Sequence, residues 1–200
     1  IPDEPTDALA TLVWFAQCGA LELHVPQWRV ADGVPQPPDR VVIDLDPGPG
    51  AGLDECSTVA REIRDRMQDA DLVAVPVTSG SKGMQLYAAL RGSRIEGAST
   101  EITSEYVKQL AQGLTRDLPD LVVWLMTKDL RPGKVFVDWS QNNGRKTTIA
   151  PWSLRGREHA FVAVPRTWDE VMAGGMTHLT IDAARERLAE PDPLALLNVD

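Results

Sequence analysis

The chain reads as an α+β domain, a mixed or antiparallel sheet with helices packed on it. Three observations predict this. Amphipathic helices and short β-rich runs intermix without the regular strand–helix alternation of a doubly wound parallel sheet. Two strand-like runs, "VVIDLDPG" and "KVFVDWS", alternate apolar residues and then end in aspartate. The second runs into "QNNGRK", a turn sequence that predicts a hairpin to "TTIAPW". At 200 residues and 43% hydrophobic content, the chain suits one large domain, or a domain with a small appendage.

Taken in order, residues 7–19 predict a helix with Leu9, Leu12, Val13 and Ala16 on one face and Gly19 as its stop. Residues 21–25, "LELHV", alternate as a strand and end at Pro26. "ADGVPQPPDR" is rich in turn formers and reads as an exposed loop. After the Val41 strand, residues 54–69 repeat Val59, Ile63 and Met67 at helical spacing. Residues 72–78 and 83–90 read as strands, and Pro76 places the first at an edge or a bulge. Residues 103–118 are helical through Val107, Leu110, Leu114 and Leu118. Thr167 and Glu170 have capping-box spacing for a short helix, and residues 181–189 predict a last one. The tryptophans at 28, 124, 139, 152 and 168 read as core or rim packing.

Several classes are excluded or disfavoured. No run of about 18 apolar residues occurs, so no transmembrane helix is expected. The N-terminus lacks a basic start and a small-residue cleavage site, and its early helix-like sequence points to a trimmed chain. Cys18 and Cys56 stand in helical patterns without a CxxC, as core or interface thiols of a reducing cytoplasm. Net charge is −9, against a general nucleic-acid binder. Yet between Lys128 and Arg166 eight basic residues face three acidic ones, a net of +5 that leaves −14 for the rest. Such a strip could hold a polyanion, or simply be solvated.

The candidate chemistry begins at Asp44 and Asp46. Residues i and i+2 of a strand share a face, so both carboxylates project together. Their repulsion and lost hydration are relieved by a divalent cation with hard oxygen ligands, magnesium or manganese. Solvated strand-end aspartates are the plainer alternative. Asp138, near the end of a second strand, adds a third carboxylate, the number suited to a two-metal phosphoryl- or nucleotidyl-transfer site. "TSGSKGMQLY" carries Ser79 and Lys82 between strands, where small residues let backbone N–H groups approach an anion. It lacks the P-loop order and a following helix. Arg155 and Arg157 in "SLRGR" could clamp a phosphate bidentately. His24 stands alone on the polar side of its strand.

Five ordered motifs, "LELHVPQW", "VVIDLDPG", "VTSGSKGMQLY", "KVFVDWSQNNGRKTTIAPWSLRGR" and "VAVPRTWDEV", resemble the polymerase domain of bacterial ligase D, within the archaeo-eukaryotic primase superfamily. The resemblance spans about residues 9–171. It implies a primase-polymerase-like core over residues 1–200, without the segment that precedes it in the family. It also implies a template-using, manganese-favoured nucleotidyltransferase that adds ribo- or deoxyribonucleotides to a 3′-hydroxyl in bacterial non-homologous end joining. Asp44, Asp46 and Asp138 fall on the family's metal ligands. Ser79 and Lys82 fall in its triphosphate loop, and Arg155 on an arginine that contacts the triphosphate. His24 falls on a histidine near a phosphate or a ligand, while Gln141 and Asn142 lie near the expected nucleotide. Gln85 departs from the pattern: the superfamily usually has a histidine there, and an amide cannot carry its charge. Implied partners are DNA ends or a gapped duplex with a 5′-phosphate, nucleoside triphosphates, the Ku protein and a ligase domain, at the nucleoid in the cytoplasm. The alternatives are a catalytically impaired DNA-end or Ku-binding module and a stand-alone primase-polymerase. An aspartyl-nucleophile phosphatase is disfavoured, because Pro-Gly-Pro-Gly follows Asp46.

Overall fold

The computed structural model describes residues 8–197. Helix α1 covers Ala8–Gln17, followed by β1 (His24–Val25), β2 (Trp28–Ala31), β3 (Val34–Pro38) and β4 (Arg40–Pro47). Next come α2 (Leu53–Gln68), β5 (Ala74–Thr78), β6 (Met84–Ala89), α3 (Thr100–Asp117), β7 (Val122–Val123) and β8 (Val135–Asp138). The last part holds β9 (Thr148–Ile149), β10 (Phe161–Val162), β11 (Val164–Pro165), α4 (Trp168–Ala173), β12 (Leu179–Thr180) and α5 (Ile181–Arg187). The main sheet has the order β11-β5-β6-β4-β8-β7, antiparallel except for the β7–β8 pair. This is the mixed sheet with packed helices that the sequence predicts.

Strand β4 is central because its residues serve two cores. Val41, Ile43 and Leu45 alternate onto one face, where α2 supplies Val59, Ile63 and Met67 and α3 supplies Val107, Ala111 and Leu114. Val42 points the other way, into a smaller cluster with Val75, Val77, Tyr87 and Ile149. Each fully buried aliphatic side chain contributes roughly 1.5–3 kcal/mol, so this strand cannot slip register without losing both cores. The ends of the helices are fixed locally. Ser99 caps α3 by accepting from the Ile102 N–H, and Thr167 and Glu170 form the expected capping box at α4.

The structure corrects several expectations. "ADGVPQPPDR" is not a loop: β2 and β3 form a hairpin around Asp32 and Gly33, both at positive φ (51° and 74°). The Asp-Gly pair sets that turn, and the prolines are tolerated because a two-stranded ribbon leaves edges free. The strand after Asp138 does not turn back on itself. The chain enters a 3-10 turn at Trp139–Asn142, and β9 pairs with β1 instead of β8. Only His24 and Val25 of "LELHV" are extended. Strand β5 is second from the sheet edge, covered by the two-residue β11. The polar groups of Pro76 face the side of the short β11, where its carbonyl accepts from the Arg166 N–H at 2.8 Å and its missing N–H falls beyond the two paired residues. The α1 face of Leu9, Leu12, Val13 and Ala16 is exposed, and Asp7 lies outside the described residues. Cys56 is buried and Cys18 exposed, both as free thiols. Among the described residues no helix is long and apolar enough to cross a membrane.

Candidate active site

Asp44 and Asp46 share the Val42 face of β4, just beyond the smaller core. On one side Asp44 is registered against Gln85 of β6, and on the other against Asp138 of β8. Directly opposite side chains share a face, so register alone gathers three carboxylates and one amide from three strands. Burial, then Asp46, then Asp138 push the Asp44 carboxyl up to about 8, while a Gln85 hydrogen bond and Arg155 pull the other way. Asp46 is also raised, by burial and Asp138, against Arg131 and Lys82.

Asp138 behaves differently. Its Oδ1 accepts from the Ser140 N–H at 3.0 Å and the Ser140 hydroxyl at 2.5 Å, and its Oδ2 accepts from Gln141 Nε2 at 3.0 Å. Lys146 donates to the same Ser140 hydroxyl. Among the described residues no three His, Cys, Asp or Glu side chains are gathered closely enough to enclose a metal ion. The reason is visible: beside two other carboxylates, Asp138 turns to the donors of its own 3-10 turn.

Above this floor lies a cavity of about 320 Å³. Its walls include His24, Asp44, Asp46, Ser79, Lys82, Gln85, Gln141 and Arg155; of the site residues singled out from the sequence, Asp138 and Asn142 are not among them. It is also lined by Ser81, Thr147, Thr148 and Arg157. The Ser79 and Lys82 loop is a tight β5–β6 connection, closed by the Ser79 N–H donating to Gly83 O at 2.9 Å. Its glycines are steric requirements. A Cβ on Gly83 would lie 1.9 Å from Leu45 O, and one on Gly80, at φ +68°, would lie 2.7 Å from Arg155 Cγ. The loop is therefore packed directly on the strand that carries the aspartates and on the arginine.

Gln85 is buried, its Oε1 accepts from the Tyr87 hydroxyl at 3.0 Å, and it also bonds Asp44. In this structure it braces the Asp44 carboxyl and borders the cavity. Asn142 is not in the cavity. It is buried, with Oδ1 accepting from Val42 N–H at 2.9 Å and Nδ2 donating to Val42 O at 2.7 Å, so it clamps β4 along the edge beyond the end of β8. The basic strip does not form one surface either. Arg155 and Arg157 face the cavity, Arg131 stacks 3.8 Å over Phe136, and Arg166 is buried against Glu170.

The sequence reading passed over Glu22. Its Oε2 lies 3.0 Å from His24 Nε2, and its Oε1 accepts from the Gly156 N–H at 2.9 Å and lies 3.5 Å from Arg155 Nε. The bond to His24 is the main cause that holds its carboxyl below the ordinary value, with Gly156 and Arg155 adding to it against burial. The i, i+2 spacing of Glu22 and His24 was the available signal. The contact with Arg155 is not legible, because it joins residues more than 130 positions apart.

Comparison with known proteins identifies the family and the fold. Residues 4–194 match the family model described as the LigD primase-polymerase domain. The chain is 50% identical over 190 residues to the multifunctional non-homologous end joining protein LigD of Mycolicibacterium smegmatis, covering 94% of this chain and 24% of that one. It is 48% identical over 201 residues to the multifunctional non-homologous end joining DNA repair protein LigD of Mycobacterium tuberculosis, covering 97% and 26%. The chain thus spans about a quarter of the length of these curated relatives. Its fold matches the solved polymerase domain of Mycobacterium tuberculosis ligase D in complex with DNA. The TM-score is 0.87 at 47% identity, over 94% of this chain and 67% of that one. The chain belongs to the LigD primase-polymerase domain family.

Proposed function

We propose that this chain is a template-directed nucleotidyltransferase that fills gaps and extends ends in bacterial non-homologous end joining. The observation that carries the reading is the register of Asp44, Asp46 and Asp138 beneath a cavity walled by Lys82 and Arg155. A row of carboxylates beside cationic groups in one cleft suits a substrate that brings both a polyphosphate and positive counter-ions.

Lys82 and Arg155 would hold the triphosphate, Arg155 through its planar fork and Lys82 as a point charge. Ser79 lies on the same loop and offers a hydroxyl. His24 and Gln141, which also line the cavity, offer hydrogen bonds to a phosphate or sugar. The 3′-hydroxyl of a primer gives up its proton to water, its oxygen bonds to the α-phosphorus, the bond from the α-phosphorus to the α,β-bridging oxygen breaks, and pyrophosphate leaves with those electrons.

The donor set fits a divalent cation. Asp44 and Asp46 present hard oxygen donors to one cavity, and Asp138 is registered directly opposite Asp44 as a third like charge. Asp44 and Asp46 would hold manganese or magnesium, and Asp138 would join them in a two-metal arrangement on leaving its bonds to Ser140 and Gln141. When bound, the ions supply Lewis-acid activation of the hydroxyl and neutralise phosphate charge.

The relatives are named as end-joining proteins, and the solved neighbour is a DNA complex. We therefore extend the reading to DNA ends or a 5′-phosphorylated gapped duplex, ribo- or deoxyribonucleoside triphosphates, Ku and a ligase domain as partners, at the nucleoid in the cytoplasm. The experiment is addition of a labelled nucleotide to a 5′-phosphorylated gapped duplex, with manganese, magnesium or chelator. Metal-dependent, template-matched addition supports the reading. DNA binding without addition under every metal condition would favour the end-binding module instead.

A further inference from the structure

We infer that Glu22 is a positioning residue for the proposed nucleotide site, holding Arg155 away from the Asp44 and Asp46 carboxylates and aligned with the cavity. The inference rests on the nucleotidyltransferase reading and deepens it.

Arg155 is an almost enclosed cation, with its side chain 11% exposed and its Nε buried without a hydrogen-bond partner. It stands between two sources of negative charge. Glu22 Oε1 lies 3.5 Å from its Nε, and its field also reaches Asp44. A buried guanidinium moves toward whichever carboxylate offers the better pair. Without Glu22, Asp44 is a carboxylate whose attraction Arg155 already feels, and an Arg155 drawn onto it would occupy the space that triphosphate and metal need.

Glu22 is built to resist this. Its Oε1 is fixed by the Gly156 N–H, one residue after Arg155, and its Oε2 pairs with His24 on the opposite side. The segment around it is stapled to the same turn, with Leu23 N–H donating to Ser153 Oγ at 2.8 Å and Ala150 N–H donating to Leu23 O at 2.8 Å. One carboxylate therefore spaces two groups that face the cavity, from a chain position that makes no cavity contact of its own.

The test measures the dissociation constant of ATP in the presence of manganese, together with KM and kcat for nucleotide addition and the melting temperature. It compares wild type, Glu22→Ala and Glu22→Gln, each with Arg155 present and with Arg155→Ala. Glu22→Ala is expected to weaken ATP binding and raise KM roughly tenfold with kcat within about threefold, the loss of one oriented charged contact. Glu22→Gln, which keeps an acceptor for Gly156, should fold like wild type and show a smaller loss of the same sign. In the Arg155→Ala background, neither substitution should change ATP binding by more than roughly twofold.

Unchanged or tighter ATP binding by a folded Glu22→Gln or Glu22→Ala protein would overturn the role, as would an equal loss with and without Arg155. Should Glu22→Ala not fold, Glu22→Gln alone decides between these outcomes. A wild-type chain that neither binds ATP nor adds a nucleotide removes the nucleotidyltransferase reading, and the role of Glu22 with it. That outcome is distinct from a wild type that binds while the variants are unaltered.

Discussion

Asp44 of β4 lies directly opposite Asp138 of β8, two carboxylates paired across neighbouring antiparallel strands with Asp46 on the same face. Like charges so placed destabilise a sheet, and burial adds to the cost by pushing Asp44 up to about 8. A carboxyl raised in the folded state contributes stability that is present at low pH and lost as pH rises through its folded value. In chelator, the melting temperature should therefore fall between about pH 4 and about pH 8, a decline that Asp44→Asn flattens. Manganese should raise the wild-type melting temperature at the upper end and leave Asp44→Asn nearly unmoved. Melting curves across that range, with and without metal, check both statements.

Asn142 holds β4 in place through the two polar groups of the Val42 backbone. Asn142→Ala would orphan a buried N–H and C=O beneath the smaller core. The expected loss is about 2 kcal/mol, read from urea unfolding. A loss below about 0.5 kcal/mol would mean that water or a neighbour takes over both bonds.

Glycines 83 and 92 separate steric need from backbone freedom. A methyl on Gly83 meets Leu45 O at 1.9 Å, whereas Gly92, at φ +77°, has nothing within 4 Å. Gly83→Ala should cost about 2 kcal/mol or more, by prising the triphosphate loop from β4, and should abolish nucleotide addition. Gly92→Ala carries only conformational strain of about 1 kcal/mol and should keep full activity. Parallel unfolding and addition assays distinguish them.

Glu170 joins Arg166 at 2.9 Å and Arg187 at 2.5 Å, and Arg166 also donates to Thr78 Oγ1 at 3.2 Å. This cluster ties the C-terminal helices to the strand that leads into the Ser79 loop. Burial alone would raise the Glu170 carboxyl, but the Thr167 N–H and the two arginines hold it below its usual value. Its stabilising effect is then present at neutral pH and lost as pH falls through the carboxylate range. Glu170→Gln should lower stability at neutral pH by about 2 kcal/mol, a partly exposed pair being worth less than a buried one. That difference should shrink on acidification in denaturant titrations.

The parts of this molecule that were legible in its sequence are those whose cause is local. The period of α2, the capping box of α4 and the alternation of β4 each depend on a few neighbouring residues. The aspartate pair was readable for the same reason, since i and i+2 share a face in any strand. What escaped was set by distant partners. The β2–β3 hairpin carried its signal in Asp32 and Gly33, but three prolines nearby outweighed it. Strand β9 looks like the return arm of a hairpin, yet its partner is β1, with His24 opposite Ile149 and Val25 opposite Thr148. Thr147 and Thr148 enter the cavity beside that pairing, and Glu22 reaches Arg155 from outside the cavity, through the turn at Gly156. Asn142 had the right neighbourhood and the wrong direction, a difference made by one 3-10 turn.

The most direct test of the account is single-turnover nucleotide addition by Asp44→Asn beside its melting temperature, both in manganese and in chelator. The account predicts that addition is lost while the metal-free protein melts no lower than wild type, because Asp44 serves chemistry at the expense of the fold. Retained addition by Asp44→Asn would contradict it and remove Asp44 from the catalytic group.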